Sequence, residues 1–314
     1  MATEGATAAR TTGFLARLRG SDAVFSLITS PVTLISAIIT VVLCVAAALS
    51  PWISPHDPFD LASIDLLASR LPPAWTDEGL DGYLLGTDAQ GRDMLSLILH
   101  GMRISLLAGL LSMAFASVVG IILGLISGYA GGMIDAAIMR LADVQLSFPA
   151  ILIALLIDGV TRGFLPAEVH DALALYIIVL SIGLANWAHF ARTVRSATMV
   201  ERRREYVQAA RIIGVSPMRI MRKHILINIV EPVFVIATVG FGIAIIMEAT
   251  LSFLGVGLPP TAPSLGTLIR IGNDYLFSGY WWMTIFPGAA LLLLVLSINI
   301  LGDWLRDVLN PTLR

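Results

Sequence analysis

Val32 to Leu49 runs for 18 residues without a charged side chain, long enough for a helix to cross the hydrocarbon core of a bilayer, about 30 Å thick. Similar stretches recur at Ile104–Ser127, Val144–Ile157 (extended back toward Met133), Leu173–Ala188, Ile229–Val256 and Trp282–Leu301. A backbone inside lipid must satisfy its own N–H and C=O groups, which leaves helices or closed barrels. Runs this long, without strict alternation, predict helices. The expected fold is an all-α integral membrane protein with six transmembrane helices. Composition agrees: 57% of residues are hydrophobic and 13% charged, against about 25% charged in a soluble domain.

Residues 1 to about 27 are small, polar and basic, with Arg10, Arg17 and Arg19 against Glu4 and Asp22. The first apolar run exceeds the roughly 7–15 residues of a signal-peptide core. Despite the small residues Ala46 to Ala48, it reads as an uncleaved span. Between residues 50 and 92, Pro51, Pro55, Pro58, Pro72 and Pro73 forbid a long helix. Aspartates and Glu78 outnumber Arg70 and Arg92, so this is an acidic extramembrane segment. Thr87 or Asp88 is placed to cap a short helix bearing Met94, Leu95, Ile98 and Leu99, closed by Gly101 and lying along the interface. The third apolar run is the least regular. Asp135, Arg140 and Asp143 at its start read as an interfacial helical turn, and Pro149 as a kink.

Orientation follows from basic residues. Between Arg192 and Lys223 there are nine, opposed only by Glu201 and Glu205. With six spans, that segment and both termini are expected in the cytoplasm. Lys223 is the only lysine and is followed by His224, so no phosphate-cradling P-loop exists here. The single cysteine, Cys44, lies within an apolar run, and the five histidines lack ligand-like spacing, so no metal site is expected. No paired catalytic groups point to an enzyme.

The stretch Glu205–Asn228 is a charged island between apolar runs. Tyr206, Ala209, Ala210 and Ile213 fall on one face of a short amphipathic helix. Gly214 suits the position just past its end, where φ turns positive. Ser216 and Pro217 then read as N-cap and first residue of a second helix. The triple arginine 202–204 reads as a contact for anionic lipid. A protruding helix–glycine–helix unit with small side chains suits insertion into a partner's groove, with Arg211 and Glu205 available for rim pairs. Glu248 lies within the fifth span, where an acid is either functional or held by hydrogen bonds with Ser252 and Thr250 nearby. Asn186 lies near the inner end of the fourth span, at a pathway or an interface belt.

In the same stretch, Gln208-Ala209-Ala210 followed by Gly214 resembles the cytoplasmic coupling segment, the EAA loop, of bacterial ABC importer permeases. Gln208 stands where that pattern has glutamate, and Ile227 where the dipeptide/oligopeptide/nickel branch has proline. Further segments resemble that branch in the same order. They are Leu85-Gly86-Thr87-Asp88 with Gly91-Arg92-Asp93, Gly128-Tyr129 with Gly131-Gly132, Glu248-Ala249 with Leu251-Ser252-Phe253-Leu254-Gly255, Phe286-Pro287-Gly288, and Gly302-Asp303 with Leu305-Arg306-Asp307.

The resemblance implies a type I importer permease in the bacterial inner membrane, moving di- or oligopeptides, with nickel, glutathione or opines as the alternative cargo. It implies a second homologous permease subunit, two ABC ATPases that bind ATP and magnesium in place of this chain, and an extracytoplasmic solute-binding protein. Lipid is a further expected partner; nucleic acid is not. The implied ATPase-coupling residues are Glu205, Gln208, Ala209, Ala210, Arg211, Gly214 and Ser216, with Glu248 and Asn186 on a possible pathway. The expected division is 1–101 (N-terminus, first span, acidic segment and interfacial helix), 102–303 (permease core) and 304–314 (cytoplasmic tail). An ion-gradient transporter is the reading from another class.

Overall fold

The computed structural model describes residues 21–60 and 65–309. Arg10, Arg17 and Arg19, and the end of the tail from 310, lie outside the described residues. The helices are α1 (Ser21–Thr29), α2 (Pro31–Ala48), α3 (Met94–Ala130), α4 (Gly132–Leu146), α5 (Ala150–Phe164), α6 (Ala167–Glu201), α7 (Glu205–Ile212), α8 (Leu226–Phe253), α9 (Leu265–Leu276) and α10 (Trp282–Leu309). No strand occurs among the described residues; a lone bridge joins Thr87 to Asp93.

Five of these elements are long and apolar enough to cross a membrane, α8 being counted with the turns that precede it from Pro217. The sixth crossing is the pair α4 and α5, bent by 92°. Each half has 15 residues and reaches about 22 Å, short of the bilayer core. The break falls at Ser147-Phe148-Pro149, where proline lacks an N–H and disfavours helix in the residue before it. The contacts of the pair run along α6: Asp135 meets Arg195, Asp143 meets Arg192, Gln145 meets Trp187, and Asp158 meets His170. The pair thus passes from one end of α6 to the other and counts as one broken span, where the sequence had suggested a kinked one.

The centre of the bundle is α3. Large side chains face outward along it, including Leu110, Val118 and Ile122, while Gly101, Ser105, Gly109, Ser112, Ala116, Gly120, Gly124 and Gly128 are buried. Packing of this kind needs small residues, because lipid supplies no hydrophobic drive between helices. A Cβ added at Gly120 would meet Phe190 and Ala191, at Gly124 Ala191 and Val194, and at Gly128 Arg195 and Thr198. Partner numbers rise together, so α3 and α6 lie parallel. Against α8 they run oppositely: Ser105 meets Glu248, while Gly109 meets Ile245.

Two expectations fail at the start of α3. The short interfacial helix closed by Gly101 does not form. Met94–Ala130 is one helix of 37 residues, about 55 Å long, and an added Cβ at Gly101 would lie 3.2 Å from the Leu265 amide. Gly101 gives close approach, not termination. The cap is Asp93, whose carboxylate accepts from Ser96 N and Oγ at 2.8 and 2.6 Å. Thr87 and Asp88 build the preceding turn instead. Asp88 pairs with Arg92 at 2.7 Å, both side chains 5% exposed, and Trp282 Nε1 donates to Thr87 O. The amphipathic α9 was not foreseen. Its 12 residues are too few to cross, and Gly266 and Gly272 let it lie against α8 and α10.

The acidic segment, α9 and the start of α10 close one end of the bundle. At the other, Trp304 Nε1 donates to Ser26 Oγ at 2.9 Å, so α1 and the end of α10 share the end that carries the basic segment.

Candidate functional site

The basic end is held by short-range chemistry that uses several expected site residues internally. Asp135 receives Arg195 Nε and Nη2 at 2.5 and 2.6 Å, plus the Ser127 hydroxyl. Arg192 reaches Asp143 at 2.7 Å. Arg202 Nη1 donates to Gly128 O and Tyr129 O at 3.1 and 2.9 Å. It therefore caps the C-terminus of α3, where carbonyls are orphaned and the helix dipole is negative. This corrects, at Arg202 alone, the reading of the triple arginine as a lipid contact. Arg203 is exposed, and Arg204 lies 3.5 Å from Glu201.

The coupling candidate is α7. Its inner face is Val207 and Ala210, 0% and 4% exposed, packed in one apolar cluster with Leu125, Val194, Ile220 and Ile225. Ala210 therefore faces its own chain, and of the alanine pair only Ala209 is exposed. Glu205 is exposed in the first turn, where a negative charge favours the helix N-terminus. Gln208 Nε2 donates to Arg202 O at 3.1 Å. Arg211 lies over the Tyr129 ring, 4.8 Å from its centroid, a cation–π contact within the chain and not a free rim charge.

Gly214 ends α7 as expected. Its φ is +80°, its N–H donates to Arg211 O, and Val215 N donates to Ala210 O. Those two bonds define a Schellman cap. Ile212 and Ile213, at its rim, are 86% and 77% exposed. Ser216 holds the extended N-cap conformation, but its hydroxyl makes no cap bond. The second helix is not separate: one turn, Pro217–Arg219, leads through a π-helical turn, Ile220–Ile225, directly into α8. The wider π turn lets Ile220 and Ile225, five apart, both sit fully buried. Ser216, Met218, Arg219, Arg222 and Lys223 line an open groove of about 350 Å³ on the outer side of this turn.

Sequence reasoning missed the phenol of Tyr206. It donates to Glu201 Oε2 at 2.5 Å and accepts from Asn228 Nδ2 at 2.9 Å. Burial, then the Glu201 contact, pushes its pKa up to about 12.

Glu248 sits at the opposite end, 0% exposed. Its carboxylate accepts from Ser105 Oγ and Ser252 Oγ, both at 2.7 Å, and Ser105 Oγ in turn accepts from Leu265 N at the start of α9 at 3.3 Å. It joins α3, α8 and α9, and Thr250 instead bonds Ile246 O. Asn186 is half-buried between α6 and α8, its Nδ2 donating to Ile182 O at 2.7 Å and touching Met247 Sδ.

Residues 120–314 match the family described as binding-protein-dependent transport system inner membrane component. That is more than half of the chain. The chain belongs to this family of transport permeases. Residues 19–73 match a second family, the N-terminal TM domain of oligopeptide transport permease C. Among curated relatives, the di/tripeptide transport system permease protein DppC of Pseudomonas aeruginosa is 38% identical over 85% of this chain and 84% of its own. The dipeptide permease DppC of Haemophilus influenzae is 38% identical over 90% of each. The corresponding Escherichia coli protein is 40% identical over 89% of each. Two crystal forms of an inward-facing MetNI methionine ABC transporter show the same permease fold. Their TM-scores are 0.55 and 0.53 at 21% and 24% identity, with 69% of this chain and 98% of theirs covered. The permease is a multi-pass inner-membrane protein, and its family is one of transport components rather than known enzymes.

Proposed function

We propose that this permease forms half of the translocation pathway of an ATP-driven ABC importer for di- and oligopeptides. The relatives named for peptide transport support the solute. What supports ATP drive is α7: a capped helix at the basic end, locked inward by Val207 and Ala210, with Ile212 and Ile213 bare at its C-terminal end. Bare isoleucines beside a rigid glycine cap suit a hydrophobic groove on another protein, here an ABC ATPase. Glu205, Gln208, Ala209 and Ser216 border that surface, while Arg211 and Gly214 hold its shape.

The assembly comprises this chain, a second homologous permease subunit, two ATPases carrying ATP and magnesium, and a solute-binding protein at the acidic end. This chain binds no cofactor itself. The positive-inside rule puts the segment from Arg192 to Lys223, and with it both termini, in the cytoplasm; Arg203, Arg204, Arg219, Arg222 and Lys223 are exposed there and have a surface to offer anionic lipid. Residues 102–303 act as the permease core, 1–101 as the part contributing the first span and acidic segment, and 304–314 as the tail. Asn186, between two spans, is the better pathway candidate, since the Glu248 carboxylate is already enclosed by hydroxyls.

Gly214→Val tests the coupling role. Its positive φ disfavours a β-branched residue, although no atom lies within 4 Å of an added Cβ. In proteoliposomes with the partner subunits and binding protein, wild-type uptake should require ATP and stop with vanadate. The variant should keep its co-purified ATPases and lose uptake. Normal uptake by Gly214→Val would overturn the coupling assignment, and vanadate-resistant uptake would overturn ATP drive.

A further inference from the structure

Two short links isolate α7 from the spans it must move: Arg202–Arg204 on one side and Ile213–Ser216 on the other. Helix α7 has eight residues; Val207 and Ala210 seat its inner face, Gln208 bonds back to Arg202 O and Arg211 lies over Tyr129, but neither of these last two contacts reaches α8. One side chain reaches across both links. The Tyr206 hydroxyl has a single proton, which it gives to Glu201 Oε2 in the last turn of α6. Its lone pair accepts from Asn228 Nδ2 in the first turn of α8, and the same Nδ2 donates at 2.7 Å to His224 O, on the π turn. A π turn displaces the usual pairing by one residue, so acceptors at its junction with an α-helix need other partners. Asn228 supplies one here.

From this geometry we infer that the Tyr206 hydroxyl is a positioning contact that fastens α6, α7 and the π turn of α8 into one body, so that displacement of α7 is delivered to both spans together. The inference rests on the proposed role of α7 in coupling and adds which group transmits it. The phenol is suited to the task. With its pKa near 12 it stays protonated and able to donate at neutral pH, and its acceptor is a carboxylate, which makes the bond charge-assisted.

The test is Tyr206→Phe in the complete transporter, reconstituted with its ATPases, binding protein and a dipeptide. The ring and its packing remain; only the hydroxyl goes. Co-purified ATPase and binding-protein-stimulated hydrolysis should match wild type, while dipeptide uptake per ATP falls roughly tenfold, equivalent to about 1.4 kcal/mol of lost coupling. Glu201→Gln retains an oxygen acceptor and should preserve uptake. Glu201→Ala, which also releases Arg204, should show at least the same defect, and the double variant Glu201→Ala/Tyr206→Phe should be no worse than Glu201→Ala alone, because the tyrosine bond is already gone. An unchanged ratio of uptake to ATP in Tyr206→Phe overturns the inference, as do additive defects. Should Tyr206→Phe not assemble, full coupling in Glu201→Ala would overturn it equally. Loss of ATP dependence in the wild type is a different result: it removes the coupling role of α7 itself and takes this inference with it.

Discussion

Gly120 lies so close to Phe190 that a Cβ built on it would sit 2.3 Å from the Phe190 Cβ and 2.8 Å from the Trp187 carbonyl. Neither neighbour is the end of a flexible chain, so α3 and α6 must separate to admit even a methyl group. Gly120→Ala should therefore lower stability by about 1–3 kcal/mol, the usual range for overpacking. Gly159→Ala, where no atom lies within 4 Å, should leave the protein near wild type. Thermal midpoints of the two variants in detergent check this. Equal midpoints would mean that the α3–α6 seam is not tightly packed.

Much of this fold was legible. Span positions followed from uncharged length, and the Gly214 turn from the amphipathic run before it. The seam along α3 was not read: glycines at 120, 124 and 128 stand four apart, but the pattern has meaning only once a partner helix is known, and α6 is far away in sequence. Interfacial character at Met94–Gly101 was misjudged because glycine signals both a helix end and a close approach. The difference lies in Leu265, on a helix that composition alone did not reveal. Ala210 was misplaced for a related reason: the Ala209–Ala210 pair shares a sequence pattern, yet at 100° per residue one side chain must turn inward. The Tyr206 bridge depends on Asn228, 22 residues away, and no local periodicity encodes it.

Arg202 and Arg203 are neighbours with different work. Removing Arg202 orphans two carbonyls at the end of α3, so Arg202→Ala should cost about 1–2 kcal/mol, while Arg203→Ala should be nearly neutral. Denaturation midpoints in detergent and in vesicles of varied anionic lipid content check the point. If both variants lose stability equally, and only with anionic lipid, Arg202 acts as a lipid contact and not as a cap.

The raised pKa of Tyr206 has a definite sign. An unfolded tyrosine ionises near pH 10, about its unperturbed value, whereas folded Tyr206 does so at about 12. Between these values the unfolded chain binds fewer protons, so stability falls as pH rises. The contribution of the hydroxyl is complete below about pH 10 and is lost as pH climbs through the folded value. Thermal midpoints of wild type and Tyr206→Phe should differ by a constant amount up to that point and converge above it. A gap independent of pH throughout would show that the hydroxyl is not bonded as seen.

Glu248 separates a joint from a pathway. Its carboxylate oxygens take the Ser105 and Ser252 hydroxyls, and Ser105 Oγ in turn lies 3.3 Å from Leu265 N at the start of α9. Glutamine in its place offers one oxygen and one amide nitrogen, so a single serine must reverse its bond. Alanine leaves a void and two buried hydroxyls without their acceptor, each costing about 1–3 kcal/mol. The expected stability order is wild type, then Glu248→Gln by a small step, then Glu248→Ala by several kcal/mol with the cavity included. Ser252→Ala, which removes one donor and little volume, should fall between the last two. A pathway residue would behave otherwise. Glu248→Gln would then keep its thermal midpoint and change the apparent affinity for dipeptide. Measuring both quantities on one preparation decides between them, because a joint moves the first and a pathway the second.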